Sequence, residues 1–430
     1  MMMMRSIGSR ARTVGAVACL TACAALPAAA QQPSDPIGRG LAAATRAAVA
    51  RSADTTAAVA PDDGQDPAPA APAADPTLKF FSGTELSGFV DTYYAYNFNK
   101  PATACATAGG VAVFNCLHNF DAAHNSFSLS LAELALEKKP TKDSRGGFRI
   151  DLDYGSTASM VAAFEPGGTT IYQNIQQAYL SYLAPVGNGS LQVDFGKFVT
   201  PAGFEVIESK DNWNYSRGLL FSLAIPYYHM GMRAAYSPTD KITLTGFLFN
   251  GWNNTVDNNT GKSFGISFTA KPNDKFTFIE NYIAGPETTG TNTPWRNLSD
   301  TVLTYTLNKK TSLAFNYDWA KDGDNQVQGV ALYLKYQAND WFAVTPRYEF
   351  FNDRDGFTTT MPQNLNSFTL TTEFKHKDGV LMRIEYRGDF SDKNFFIGDT
   401  PVVTGTPPAL KKGQNELLVG WIFAFSSKTP

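Results

Sequence analysis

"GFRIDLDYG" (residues 147–155) puts Phe148, Ile150, Leu152 and Tyr154 on one parity and Arg149, Asp151 and Asp153 on the other. Successive side chains of a strand point to opposite faces, so one face here is apolar and the other carries ionised groups of both signs. A single strand of this kind also fits a soluble sandwich; recurrence along the chain decides the matter. The pattern recurs. "SLQVDFGKF" sets Leu191, Val193 and Phe195 against Gln192 and Asp194, and "VALYLKYQ" sets Leu332, Leu334 and Tyr336 against Tyr333 and Lys335. "FTLTTEFK" places Glu373 opposite Phe374, and "MRIEYRGDF" sets Met382, Ile384, Tyr386 and Phe390 against Arg383, Glu385, Arg387 and Asp389. Arg347 and Glu349 share a parity within 341–352.

These runs are about 9 to 13 residues long, the length of a tilted strand that crosses an outer membrane. The predicted strands are 86–99, 125–137, 147–155, 174–185, 190–199, 231–238, 241–250, 262–271, 275–285, 298–308, 312–320, 327–338, 341–352, 365–377, 381–391 and 415–425. Short connections such as "PVGNGS", "KPNDK" and "QAND" alternate with longer ones at 99–125, 155–173, 199–231, 250–262, 285–298, 320–327, 352–365 and 391–415. The expected fold class is therefore all-β: a transmembrane antiparallel up-and-down β-barrel of about 16 strands with long extracellular loops. In lipid every backbone polar group needs a partner, so a spanning sheet must close on itself. Its outer face meets acyl chains and, in a barrel this wide, its inner face meets water. Arg149, Asp151, Asp153, Asp194, Lys335, Arg347, Glu349, Glu373, Arg383, Glu385, Arg387 and Asp389 are then expected to line the pore.

Three local irregularities are expected. "FSLSLAELALE" changes phase between Leu131 and Leu134, and "KFTFIENYIAG" changes phase near Ile279 and Glu280; both predict β-bulges. Pro346 removes a ladder donor, which predicts a bulge or irregular pairing beside it. Trp319, Trp341 and Trp421 fall near predicted strand ends, where an aromatic girdle belongs, although aromatics also simply favour strands.

The composition agrees. Of 430 residues, 43% are hydrophobic, 13% aromatic and only 17% charged, an unusual balance for a soluble enzyme. No apolar run reaches the ~18 residues of a transmembrane helix. No basic cluster points to nucleic acid, and the net charge is −3. Residues 1–30 read as a signal peptide: Arg5, Arg10 and Arg12 precede an apolar run ending in Ala30. Leu20–Cys23 offers a rival lipobox reading, with Cys23 lipidated. Residues 31–78 are Ala/Pro-rich and read as a periplasmic linker, which leaves 79–430 for the barrel. Beyond the signal only Cys105 and Cys116 remain. Their closeness in an exported chain predicts a disulfide, against the alternatives of free thiols or a metal pair with His118.

Residues 199–230, "VTPAGFEVIESKDNWNYSRGLLFSLAIPYYHM", form a connection too long and too apolar for a solvated loop. Phe204, Ile207, Leu219, Leu220 and Phe221 need cover. If the loop folds into the barrel, Glu205, Glu208, Lys210, Asp211 and Arg217 stand at a pore constriction, where their field on passing ions is strengthened. The alternative is a lid across the extracellular mouth. This segment, with "AIPYYHMGMR" and "NIQQAYLSY", resembles the OmpL-like β-barrel porin family of Gram-negative outer membranes. The resemblance covers most of residues 86–425 and implies a third loop that narrows the barrel.

The expected function is a porin, a water-filled channel for passive diffusion of small hydrophilic solutes or ions, located in the outer membrane after export. Membrane lipids and lipopolysaccharide are its expected partners, as a monomer or a homotrimer, with no nucleic acid, no cofactor and no metal. Two rivals stay open: a lipase-like barrel enzyme and a structural or adhesive barrel with a plugged lumen. His118, His124, His229 and His376 lie in no Ser–His–acid motif, which speaks against the enzyme. "TGKS" (260–263) lacks the earlier glycine of a phosphate loop, and "DGDN" (322–325) reads as a solvated turn.

Overall fold

The computed structural model describes residues 83–163, 165, 170–187, 189–399 and 408–427. The signal peptide and linker expected at 1–78 lie outside the described residues. In chain order the strands are β1 (Glu85–Asn97), β2 (Ala106–Ala108), β3 (Val111–Val113), β4 (Ser126–Lys138), β5 (Gly146–Tyr154), β6 (Ile175–Ala184), β7 (Ser190–Val199), β8 (Tyr228–Ser237), β9 (Ile242–Phe249) and β10 (Ser263–Asn273). They continue with β11 (Phe276–Pro286), β12 (Trp295–Asn308), β13 (Thr311–Asp322), β14 (Asn325–Asn339), β15 (Phe342–Asp353), β16 (Gln363–Lys375), β17 (Val380–Ser391), β18 (Phe396–Ile397), β19 (Leu410–Lys411) and β20 (Gly413–Ser426). Two short helices, α1 (Ser156–Ala162) and α2 (Leu219–Leu223), lie in the long connections. None of the described helices is long and apolar enough to cross a membrane.

Sixteen strands close into one antiparallel barrel, with β1 paired to β20; the hairpins β2–β3 and β18–β19 stand apart. The closing pair runs from Ser87↔Ser426 to Asn97↔Glu416 without a register shift. Each predicted strand corresponds to one barrel strand. The expected long loop at 320–327 does not exist as such: β13 and β14 are joined by a tight turn at Gly323, whose φ of 59° needs no side chain.

The pleat separates the two faces as the alternation requires. Leu332, Leu334, Tyr348, Phe368, Leu370, Ile384 and Tyr386 point outward and are exposed, while Arg347, Glu349, Thr369, Thr371, Arg383 and Glu385 point inward. On the long-loop side, outward tyrosines hydrogen-bond an amide on or beside the next strand. Tyr94 Oη donates to Asn125 Oδ1 (2.6 Å), Tyr282 to Asn297 (2.7 Å), Tyr348 to Asn366 (2.8 Å) and Tyr386 to Asn415 (2.6 Å). An apolar ring with a satisfied polar tip suits the membrane–water boundary. At the short-turn side Trp341 stacks near Phe374, with 6.3 Å between ring centroids. Trp421 faces outward further along β20.

The bulge in β4 is present: Asp91 pairs with Leu131 and Thr92 with Leu129, so Ser130 and Leu131 both turn inward. The bulge expected at Ile279 and Glu280 is not. β11 pairs with β12 from Phe276↔Tyr305 to Pro286↔Trp295 without a shift, and the irregularity in β10–β11 lies between Ala270 and Asn273. Ile279 and Ile283 are inward residues that pack in an apolar interior, while Glu280 faces outward and accepts from Ser299 Oγ (2.9 Å) and Thr301 Oγ1 (2.6 Å). Beside Pro346 the pairing skips from Tyr333↔Arg347 to Tyr336↔Val344 while keeping its register, so the irregularity is a missing rung and not a bulge.

Candidate functional site: the in-folded loop and its wall

The connection after β7 enters the barrel. Residues 200–227 are almost wholly buried, and Phe204, Ile207, Tyr215, Leu219, Leu220, Phe221 and Ile225 join the inward Phe89, Tyr93, Leu298, Val302, Phe351, Leu418 and Ile422 in one apolar cluster. The barrel interior at this level is thus a packed core. The signal was in the sequence: "NELLVGWIFAF" is apolar on both parities, as a strand covered on both faces must be.

Charged wall residues hold the loop. Arg383 on β17 donates to the carbonyls of Ser209 (2.5 Å), Asn212 (2.6 Å) and Asn214 (3.2 Å) while pairing with Glu373 (2.7 Å). Glu385 accepts the backbone N–H groups of Tyr215 (2.7 Å) and Ser216 (2.9 Å). Arg347 on β15 pairs with Glu205 (2.6 Å) and Glu349 (3.1 Å) and donates to the Ser216 carbonyl (2.7 Å). Arg387 pairs with Asp389 (2.9 Å) and donates to the Arg217 carbonyl (2.7 Å). Asp91 of β1, two strands round the wall from β17, accepts from Ser209 Oγ and Tyr215 Oη, both at 2.7 Å. The loop leaves β7 and returns to β8, yet it is held on β15 and β17 across the barrel, so it spans the lumen. Irregular backbone is tolerated at membrane depth because side chains of the wall satisfy its polar groups.

This corrects the expected wet wall. Asp151, Asp153, Asp194, Arg347, Glu349, Glu373, Arg383, Glu385, Arg387 and Asp389 all point inward but are buried, because the loops cover them or neighbouring wall residues pair with them. Asp194 is held by Arg233 (2.7 Å), and Asp151 by Arg149 (2.9 Å) and Gln177 (2.5 Å). Only Arg149 and Lys335 keep partial exposure; Lys335 bonds Glu373 at 3.3 Å.

The five expected constriction residues divide in two. Glu205 and Arg217 are buried braces. Glu205 also accepts the Gly218 N–H (2.6 Å), and Arg217 donates to the Ile207 and Tyr215 carbonyls with its guanidinium over the Phe120 ring. Glu208, Lys210 and Asp211 lie in or beside a single 3₁₀ turn, Ser209–Asp211, and all three keep some exposure: the side chains of Asp211 and Lys210 are 45% and 27% exposed, and Glu208 is partly buried. Glu208 accepts from Gln176 Nε2 of β6 at 2.5 Å. Burial raises the Glu208 pKa above the usual carboxylate value, and the Asp211 charge adds to it. Burial opposes the Lys210 ammonium, but the charges of Asp211, Glu133 and Glu208 outweigh it and raise its pKa. Glu133 and Asp153 face this turn from β4 and β5. The sequence reading missed Asp91, Glu133 and Glu416, which only their inward parity marks.

Below the loop, toward the short turns, a cavity of about 220 Å³ is lined by Phe204, Trp213, Lys271, Asp274, Lys275 and Thr304, among others. Above it, the first long connection also folds inward. Cys105 and Cys116 are joined by a disulfide, and Asn119 Nδ2 donates to the Ser222 carbonyl and Tyr227 Oη, each at 3.2 Å.

A closed sixteen-strand barrel with a lipid-facing apolar exterior and a loop anchored across its lumen defines an outer-membrane channel of the porin class. The chain belongs to the family described as "Putative beta-barrel porin-2, OmpL-like", whose sequence profile matches residues 83–425. Its fold is shared with an anion-selective porin from Comamonas acidovorans, at 14% identity and a TM-score of 0.52, over 80% of this chain and 99% of that one. It is also shared with the outer membrane channel DcaP of Acinetobacter baumannii, at 12% identity and a TM-score of 0.50, over 80% and 98%. Comparison with curated protein sequences finds no match.

Proposed function

We propose that this porin is a passive diffusion channel for small hydrophilic solutes and ions, whose narrowest passage is set by the 3₁₀ turn of loop 200–227. The observation that carries this reading is the anchoring of that loop across the lumen by Arg347, Arg383 and Glu385, which fixes Lys210 and Asp211 opposite the β4–β6 wall. Fixed charges of both signs beside low-dielectric walls act strongly on ions that pass. The exposed apolar belt supports contact with acyl chains, and the tyrosine–amide pairs above it support contact with the lipopolysaccharide headgroup region.

A non-enzymatic role agrees with the histidines. His229 faces Thr200 Oγ1 at 3.1 Å, but its other nitrogen faces the Gly251 carbonyl at 3.0 Å and not a carboxylate. His118 sits between two carboxylates, and His376 is exposed beside Asp378. Among the described residues no hydroxyl, imidazole and carboxylate line up as a nucleophilic set.

Planar-bilayer recording tests the proposal. Stepwise, ohmic single-channel current is expected, and Arg383→Ala, which frees three loop carbonyls, is expected to raise its amplitude. Absence of current from folded protein, or hydrolysis of lipid by it, overturns the channel; unchanged amplitude in the variant overturns the constriction alone.

A further inference from the structure

Loop 98–125 brings His118 against the seam of the barrel. The loop is stiffened locally: the Cys105–Cys116 disulfide closes two residues before His118, and Asn115 Nδ2 donates to the carbonyls of Asp121 (2.7 Å) and Ala123 (3.1 Å). Gln414 of β20 ties it to the wall, donating to the Cys116 carbonyl (2.8 Å) and to Asp389 (2.9 Å).

At that point three side chains converge. His118 Nδ1 lies 2.7 Å from Asp121 Oδ2 and 3.8 Å from Glu416 Oε2, and one candidate ligand atom from each of the three residues lies within 4.8 Å of the others. Their relative exposures are 0%, 1% and 2% for His118, Asp121 and Glu416. The carboxyl groups of Asp121 and Glu416 lie against each other, and among the described residues no donor from elsewhere reaches Asp121 Oδ1 or Glu416 Oε2. Buried carboxylate oxygens normally have such donors. On the far side of the ring, His118 Nε2 lies 2.7 Å from Asp389 Oδ2.

We propose that His118 Nδ1, Asp121 and Glu416 form a binding site for a divalent transition-metal cation of the zinc type. With Nε2–H donated to Asp389, the imidazole presents the Nδ1 lone pair toward the two carboxylates, the outer-shell arrangement that orients metal-bound histidine. The cation takes the place of the proton between Nδ1 and Asp121. One imidazole and two carboxylates suit Zn²⁺ or Co²⁺ and leave a fourth position for water. The charges facing the site are Asp121, Glu416 and Asp389 against Arg387, an acidic excess that a divalent cation offsets. Filled, the site clips the first loop to β17 and β20 at the extracellular mouth. The competing arrangement is a proton shared between Asp121 and Glu416 in place of the metal.

Chelator-treated full-length protein in detergent, titrated with Co²⁺ at neutral pH, tests this. One Co²⁺ per chain is expected, with visible d–d absorption that Zn²⁺ abolishes and a higher thermal midpoint in Zn²⁺. Glu416→Gln is expected to remove the absorption, and Asp389→Asn to weaken binding by about 10- to 100-fold while keeping the spectrum. Barrel folding of each variant is checked by circular dichroism. If wild-type protein gives no Co²⁺ absorption, or keeps it in folded Glu416→Gln, the site is overturned; the wild-type titration decides even where a variant fails to fold.

Discussion

Arg347 Nη1 on β15 lies 2.6 Å from the Glu205 carboxylate of the in-folded loop, with both side chains buried. Neither group touches water, so removing Arg347 leaves the Glu205 and Glu349 carboxylates as uncompensated charges, which costs about 3–5 kcal/mol. Removing Glu205 leaves Arg347 its Glu349 partner at 3.1 Å and costs less. We expect Arg347→Met to lower unfolding free energy by about 3–5 kcal/mol, Glu205→Gln to lower it by less, and the double variant to lower it by clearly less than their sum. Urea unfolding in micelles measures the cycle. Strictly additive losses would show that the two groups do not depend on each other.

The loop charges that meet solvent should govern ion preference. Asp211→Lys replaces a half-exposed acid by a cation beside Lys210, and is expected to shift the reversal potential in a salt gradient toward anion selectivity. Glu205→Gln, which changes a covered charge, is expected to shift it much less. Equal shifts would mean that Glu205 is reached by ions and that the burial of this end of the loop does not hold in the working channel.

Leu370 lies at the middle of β16, points outward and is exposed, between Pro346 and Tyr386. A cationic residue on the lipid face near the bilayer midplane costs about 2–4 kcal/mol. Leu370→Arg is therefore expected to lower folding stability in lipid vesicles by that amount, and far less in detergent micelles, where headgroups lie closer. A loss of similar size in both would show that position 370 is covered by protein and not by acyl chains.

Glu287, the first residue after β11, accepts the Trp252 N–H (2.6 Å) and Ser263 Oγ (2.7 Å). Burial pushes its pKa up to about 7 from an ordinary 4.5, against the lowering effect of Arg296. The folded state then holds a proton that the unfolded chain releases first, so this contribution to stability is complete below the ordinary value and is lost as pH rises toward 7. The gap between wild type and Glu287→Gln should change by roughly 3 kcal/mol across that window. A gap independent of pH would mean that Glu287 ionises as it does in water.

The barrel strands were legible because a period of two, repeated over segments long enough to span a bilayer, leaves few alternatives in register. The β4 bulge was legible for the same reason: inserting one residue flips the parity of Leu134 relative to Leu129. The supposed bulge at Ile279 was an error of the same logic, since it took any inward apolar residue as a change of phase and overlooked an interior that is itself apolar. Glu205, Arg217 and the wall arginines were found as charges, but whether a charge faces water or a loop carbonyl is not encoded in its own position. His118 and Glu416, nearly three hundred residues apart in the chain, had nothing local to connect them.

Periodicity alone settled which face of each strand meets lipid, and hence the closure of the sheet, because hydrocarbon tolerates no open edge and makes an outward charge costly unless, as at Glu280, neighbouring hydroxyls satisfy it. The filling of the barrel was decided by tertiary structure. Loops 98–125 and 200–227 chose their partners among inward side chains by long-range complementarity, and that choice turned a wall expected to hold water into buried ion pairs and leaves Glu208, Lys210 and Asp211 as the at least partly exposed charges of loop 200–227.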